Sequence, residues 1–151
     1  MGYTSIVLNP ESTKRLVDYF NGNIETIPED WETVAHHMTI NMGPMEKGPL
    51  RTYTLGELDD LCNKDQELKV TSYAVDDKVM AVGVDTDLPS KNKVKHITVA
   101  VNRKDGGKPF LSNDLTGWKE INGPKLYGVL RYKPPGLKDA PETGEERWIH
   151  D

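Results

Sequence analysis

The stretch that decides the fold is residues 34–42, VAHHMTINM. Its side chains alternate in character, as in a β-strand whose successive side chains point to opposite faces. The alternation puts His37 and Thr39 on one face, together with Ala35 and Asn41. The other face is mainly apolar and consists of Val34, His36, Met38, Ile40 and Met42. His36 is therefore predicted to be structural. His37 is a candidate functional residue.

The same pattern occurs a second time in the chain. Residues 37–40 are His-Met-Thr-Ile and residues 96–99 are His-Ile-Thr-Val, so two of the four histidines begin the same motif. Residues 95–102 are predicted to form a strand that presents His96 and Thr98 on one face. Two such strands facing each other would form a cleft with two imidazoles and two hydroxyls, which suits acid and base chemistry at a phosphodiester. The alternative interpretation is two half-buried strand histidines, each beside a residue type that favours strands.

The other segments predict a mixture of helices and strands. A strand over 3–8 is followed by Asn9 and Pro10, which predict the start of a helix over 10–21. Residues 54–62 fit a second helix or a loop. Further strands are predicted over 68–75, 78–84 and 124–132, the first two joined by a turn at residues 76–77. The predicted class is α+β, two-lobed, with mainly antiparallel strands, a few helices and a central cleft.

Length and composition predict one domain over residues 1–151, with 134–151 as a mobile C-terminal tail or lid. The chain carries 28% charged residues and no apolar run of bilayer length, so no membrane association is expected. Its one cysteine, Cys62, excludes an internal disulfide and favours a cytoplasmic location. It is expected to be a buried apolar residue. No obligate protein partner is inferred.

The net charge of −5 argues against binding to duplex nucleic acid. A local basic cluster flanks the second motif and could still receive a small anion, although a solvated rim fits equally well. Its members are Lys91, Lys93, Lys95, Arg103 and Lys104.

A zinc site is the competing interpretation of the histidines. It would join His36, His37 and His96 with Asp85 or Asp87. Neighbouring residues of a strand point to opposite faces, so His36 and His37 would not converge on one tetrahedral ion. We therefore predict no metal and no cofactor.

The paired motifs resemble those of the 2H phosphoesterase superfamily, which is named for two His-x-Thr/Ser motifs on the central strands of two lobes. His37 with Thr39 and His96 with Thr98 match these motifs position by position. The resemblance implies that the two histidines act as general acid and general base, that the hydroxyls hold the phosphate, and that no metal is required. It makes these four residues the predicted catalytic set.

Within the superfamily, the small size and the late tryptophan are most similar to the phage anti-CBASS phosphodiesterases, which degrade cyclic oligonucleotide signals of bacterial immunity. The resemblance implies that a C-terminal acidic residue and a tryptophan close over the nucleotide, and Glu142 and Trp148 are the candidates here. Tyr3, an aromatic residue at the start of the first strand, is a further candidate for substrate binding. The expected substrate is a cyclic oligonucleotide, and the expected location is the host cytoplasm if the chain is encoded by a phage.

Two alternatives stay open. Lys108 and Pro109, with Ser112 and Asn113, resemble the cyclic phosphodiesterase domains of RNA-repair ligases. This resemblance implies hydrolysis or ligation at RNA ends that carry a 2′,3′-cyclic phosphate. The other alternative is a non-catalytic module that sequesters a nucleotide in the same cleft.

Overall fold

The computed structural model describes residues 3–41, 55–88, 90 and 92–133, and it has the predicted α+β class. Every strand pair in this part of the chain is antiparallel. The helices are α1 (Pro10–Asn23) and α2 (Leu55–Cys62), with two short 3₁₀ helices, η1 (Arg103–Asp105) and η2 (Pro109–Asp114). The strands are β1 (Tyr3–Leu8), β2 (Glu32–Thr33), β3 (His37–Asn41), β4 (Gln66–Val75), β5 (Val79–Asp85), β6 (His96–Val101), β7 (Lys119–Glu120) and β8 (Lys125–Lys133).

The strands form one sheet in the order β2-β6-β5-β4-β8-β1-β3, with β7 paired to β4 outside this path. The strands at the two ends of the order, β2 and β3, are consecutive in the chain. The Ala35 amide donates to the Thr98 carbonyl of β6 at 2.9 Å, and the next residue, His36, accepts from the Leu8 amide beside β1 at 2.8 Å. Because the chain passes from one edge to the other between these residues, the two ends of the sheet meet there.

The strand predicted over 34–42 is shorter in the structure, where β3 begins at His37 and residues 34–36 connect it to β2. Ala35 lies between β2 and β3 at a φ of 43°, a left-handed conformation that residues with a Cβ rarely adopt. The alternation holds within β3, where Met38 is fully buried and Thr39 is partly exposed. It fails at His36, which follows the kink at Ala35, lies outside the strand and stacks its ring on that of His37 instead of pointing to the opposite face. The prediction that His36 faces the apolar side is therefore wrong.

The first helix begins as its sequence predicts. The Asn9 side chain accepts from the Ser12 amide at 2.7 Å and satisfies one of the amides that have no partner within the helix. The helix continues to Asn23, two residues beyond the predicted end. Leu16 and Phe20 are fully buried against the sheet because they share one face of the helix. The helical interpretation of 54–62 is also confirmed, from Leu55 onward.

The predicted hairpin of β4 and β5 is present, and the Asp76 carboxylate accepts from the amides of Lys78 and Val79 in its turn. The buried side chains form two clusters on opposite faces of this region. The larger one contains Phe20 of α1 and also Cys62, which is buried as predicted. The smaller one consists of Ala74, Val79, Ala81, Val101 and Leu115, with Val34, Leu111 and Trp118 packed against it.

None of the helices in the described ranges combines the length and the apolar character needed to cross a membrane. The predicted tail, 134–151, lies outside the described residues.

Candidate active site

His96 begins β6 and is held by hydrogen bonds at both ring nitrogens. Nδ1 lies 2.7 Å from the Val94 carbonyl oxygen, and Nε2 lies 2.9 Å from Oγ of Ser112. A carbonyl can only accept, so Nδ1 carries a proton and Nε2 is the nitrogen that can gain or lose one. The residue is only 7% exposed. Burial lowers the pKa of His96 below its usual value, and the bond to Val94 opposes this effect in part, so the imidazole is mainly neutral at pH 7.

Ser112 connects His96 to the threonine of the same motif. Its Oγ lies 2.8 Å from Thr98 Oγ1. The Pro109 carbonyl oxygen lies 2.6 Å from Ser112 Oγ and 3.3 Å from the Thr98 hydroxyl, so it can accept from either. His96 and Thr98 thus converge on one point, as their shared strand face predicts. This role of Ser112 was not predicted from the sequence, in which the residue was noted only for its resemblance to the RNA-repair domains.

The pairing of β6 with β5 explains why these polar side chains have room. Thr98 lies opposite Ala81 and His96 lies opposite Gly83. A Cβ at Gly83 would collide with the Ser72 hydroxyl and would come within 3.6 Å of the Trp118 ring. The glycine therefore leaves space for the Ser72 hydroxyl, and the Trp118 indole lies nearby with its centroid 6.2 Å from that of His96.

A small cleft of about 240 Å³, part of it open to solvent, lies beside His96. Lys93 and Trp118 stand out among its lining residues because they supply a cation and a broad aromatic surface. Sequence reasoning placed Lys93 in a basic cluster and gave Trp118 no role. The cleft is lined by Asn92, Lys93, Val94, His96, Ser112, Asn113, Leu115 and Trp118.

The rest of the basic cluster, where it is described, has partners of its own. Arg103 donates to Glu32 at 2.5 Å, and Lys104 lies 3.8 Å from Asp30. Lys95 donates to the Thr86 carbonyl. These contacts fit the solvated-rim interpretation, and of the cluster members that the structure describes Lys93 lines the cleft.

The first motif lies on β3, where His37 and Thr39 are both partly exposed. The ring of His37 stacks on that of His36. The Thr39 carbonyl accepts from the Ser90 hydroxyl at 2.8 Å, and the same hydroxyl accepts from the Asn92 amide at 3.1 Å. Because Asn92 lines the cleft, a short hydrogen-bonded path leads from the first motif strand to the second site.

The structure brings the two motif strands together. β3 and β6 are in contact, and the backbone amide of Ala35, two residues before His37, donates a hydrogen bond to the Thr98 carbonyl. His37 and Thr39 are not among the described residues that line the cleft beside His96. Joint action of the four motif residues on one substrate therefore stays a prediction.

The predicted substrate-binding residues fall mostly outside the described part of the chain. Tyr3 is the first residue of β1 and pairs with Lys133 of β8, but its side chain is outside the description. Glu142 and Trp148 lie in the undescribed tail. Their roles stay predictions.

The zinc interpretation finds no ligand set among the residues that the structure describes. No group of three or more His, Cys, Asp or Glu side chains in these ranges could hold a metal ion.

The sequence matches the family described as the fungal tRNA ligase phosphodiesterase domain over residues 18–127. This span contains β3 and β6, and hence both His-x-Thr motifs. No curated protein and no solved structure matches the chain. The matched family is a 2H phosphoesterase family, whose members are phosphodiesterases. Because the match covers most of the chain, the protein belongs to the family of the fungal tRNA ligase phosphodiesterase domain and is a 2H phosphodiesterase of the 2′,3′-cyclic phosphate type.

Proposed function

We propose that the chain hydrolyses the 3′,5′ bonds of cyclic oligonucleotide second messengers without a metal ion. The neighbouring 2′-hydroxyl attacks the phosphorus and forms a 2′,3′-cyclic phosphate, which water then opens. The observation that carries the proposal is the convergence of His96 and Thr98 on Ser112 beside a small cleft, in a chain of the 2H family. This activity would remove signals of bacterial immunity, in keeping with the resemblance to the phage enzymes.

His96 is the better candidate for the base of the first step. Its buried imidazole favours the neutral form, so Nε2 can take up the proton of the 2′-hydroxyl. His37 then protonates the leaving 5′-oxygen. In the second step the roles are exchanged: His37 takes a proton from water and His96 returns one to the 2′-oxygen. A positioned acid or base typically contributes about a hundredfold to ten-thousandfold.

The two threonines are proposed to hold the phosphate. Thr98 and Thr39 would donate to its non-bridging oxygens, where negative charge increases as the phosphorane forms. Lys93 at the cleft would add a positive charge close to the same group. These interactions strengthen once the substrate has displaced water from the cleft.

The surface supports a small substrate over a long one. Duplex nucleic acid is held mainly by unpaired basic side chains along its phosphates. Here the net charge is −5, and Arg103 and Lys104 are paired with acidic residues. A compact cyclic anion needs few cationic contacts, and Lys93 at the cleft would supply one. A cytoplasmic location, where such messengers are made, is part of the proposal.

A second candidate is supported by the family match itself. The matched family is named for a tRNA ligase, so opening of a 2′,3′-cyclic phosphate at an RNA end is also a candidate activity. Both candidates contain the step in which water opens the cyclic phosphate. They differ in whether the enzyme also makes that intermediate from a cyclic oligonucleotide.

The experiment is chromatography of products after incubation with EDTA. The panel contains ribose cyclic dinucleotides, their 2′-deoxy analogues and short RNAs ending in a 2′,3′-cyclic phosphate. We expect the ribose cyclic dinucleotides to become linear and the 2′-deoxy analogues to stay intact. The variants His37→Ala and His96→Ala should lose this activity.

Other outcomes decide between the alternatives. Conversion of the RNA ends alone would establish the second candidate. Recovery of unaltered cyclic dinucleotide after tight binding would establish a sequestering module. Turnover that persists in both histidine variants would remove these residues from the mechanism.

A further inference from the structure

We propose that Ser112 is a positioning residue that holds His96 beside Thr98 in both protonation states of the imidazole. The inference rests on the proposed function, in which His96 takes up a proton in one step and returns it in the next. Ser112 belongs to neither motif. It reaches the second motif from η2 and is only 2% exposed.

The Ser112 hydroxyl has three partners within hydrogen-bond distance. These are Nε2 of His96 at 2.9 Å, Oγ1 of Thr98 at 2.8 Å and the Pro109 carbonyl at 2.6 Å. A hydroxyl has one proton and two lone pairs, so Ser112 can donate to only one of these partners at a time and can accept from the others. Ser112 is therefore placed to organise the two motif side chains and not to bind the substrate itself.

In the neutral imidazole, Nδ1 donates to the Val94 carbonyl and Nε2 has a lone pair. The Ser112 hydroxyl then donates to Nε2 of His96. Thr98 can donate to Ser112 Oγ or to the Pro109 carbonyl, which lies 3.3 Å from it. All the ring nitrogens are satisfied in this state.

In the protonated imidazole, Nε2 carries the new proton and donates it to Ser112 Oγ. The Ser112 proton then turns to the Pro109 carbonyl, which already lies 2.6 Å away. The two states differ by rotation of hydroxyl protons, with no heavy atom displaced. His96 can thus change its charge without losing its place beside Thr98, and turning the Ser112 proton to the Pro109 carbonyl frees the Nε2 lone pair to accept the proton of the 2′-hydroxyl.

Substitution of Ser112 leaves the other charged groups around His96 unchanged. Lys93 lines the cleft with His96, and Lys95 precedes it on the chain. The elements in contact with β6 add Glu32 on β2, His37 on β3, Asp85 on β5 and Asp114 on η2. A change in the titration of His96 on substitution of Ser112 therefore reports the lost hydroxyl.

The test compares Ser112→Ala and Ser112→Cys with Ser12→Ala. Cysteine fills a similar volume at this buried site, but its thiol forms only weak hydrogen bonds. Ser112→Cys therefore separates packing from hydrogen bonding, and it preserves the fold if alanine does not. Ser12 is a matched control, because it is 1% exposed and its hydroxyl accepts from the Tyr127 amide and not from a motif side chain.

We expect kcat on a ribose cyclic dinucleotide to fall about tenfold to a hundredfold in both Ser112 variants, with KM changed less than about threefold, since misplaced catalytic groups lower the rate of the chemical step. In an NMR titration, the pKa of His96 should fall further, because hydrogen bonds to a charged group are stronger and the protonated form loses more. Ser12→Ala should change neither kcat nor the titration.

Native kcat and a native His96 titration in either folded Ser112 variant would overturn the inference. So would a change of the same size in Ser12→Ala. The titration does not depend on turnover. If the native enzyme fails to cleave the cyclic dinucleotides, the proposed function fails, and the titration still decides whether Ser112 supports both states of His96.

Discussion

The imidazole rings of His36 and His37 stack on one another, with centroids 4.7 Å apart and an interplanar angle of 25°. Their Nδ1 atoms lie 2.7 Å apart. Such a contact requires one Nδ1 to donate and the other to accept. The orientation of the motif imidazole, His37, is therefore tied to the protonation of its neighbour.

Replacement of His36 by alanine is predicted to lower kcat about tenfold with little change in KM. The His37 ring would lose both its stacking partner and its Nδ1 partner and would sample other rotamers, and misorientation of a catalytic group lowers the rate of the chemical step. Steady-state kinetics on a cyclic dinucleotide measures the effect. His36→Asn offers an amide at a similar position and should retain more activity. Native kcat in His36→Ala would show that the stacked pair is not needed.

The buried His96 is predicted to make stability depend on pH. Its pKa in the folded protein is below the value of 6.5 expected for the unfolded chain. As the pH falls through 6.5, the unfolded chain binds a proton while the folded protein stays neutral at this site, so the free energy of unfolding decreases until the folded pKa is reached.

Urea denaturation of the native protein and of His96→Gln between about pH 8 and pH 5 measures this effect. The native protein should lose more stability than the variant on the acid side of this range. A difference between the two proteins that stays constant across the pH range would contradict the assignment.

Trp118 is predicted to contact a base of the substrate. It lines the cleft and its ring is 6.2 Å from that of His96. Stacking of a base on an aromatic side chain contributes about 1 to 3 kcal/mol, so Trp118→Ala should raise KM about fivefold or more. Phe110→Ala is the control, because Phe110 is 61% exposed on η2 and is not among the residues described as lining the cleft. Equal effects of the two substitutions would argue against stacking at Trp118.

Two glycines are predicted to respond to alanine in opposite directions. A Cβ at Gly128 in β8 would lie 2.5 Å from the Val7 carbonyl oxygen, a backbone atom that cannot rotate away. Gly128→Ala should therefore destabilise the protein by about 1 to 3 kcal/mol, as overpacking does. A Cβ at Gly22 in α1 would meet nothing within 4 Å, so Gly22→Ala should raise stability by about 0.5 to 1 kcal/mol. Chemical denaturation measures both. Equal stabilities would contradict this account of the β1–β8 contact.

The helices and strands whose polar and apolar side chains recur with a clear period could be predicted from the sequence. The alternation around Thr39 and Thr98 predicted both motif strands, and Asn9 with Pro10 predicted the start of α1. The break before β3 could not be predicted, because Ala35 has a positive φ that its residue type gives no reason to expect. The error about His36 follows from this one residue.

Ser112 was missed for a different reason. It lies 16 residues beyond His96 and reaches the motif through a turn and a 3₁₀ helix. The turn depends on close approach of Gly107, whose amide donates to the Asn102 carbonyl at 2.7 Å and whose Cβ position is occupied by backbone. Periodicity reports which face of an element a side chain occupies, and it carries no information on which distant element returns to that face.

The two ends of the sheet meet at the peptide link between Ala35 and His36, and this link constrains how relatives of this enzyme can diverge. A residue inserted there would slide one motif past the other by about 3.3 Å and would turn every following side chain of β3 to the wrong face. Relatives adapted to larger or smaller rings should therefore vary in the segments that border the cleft and keep the length of residues 34–36 unchanged.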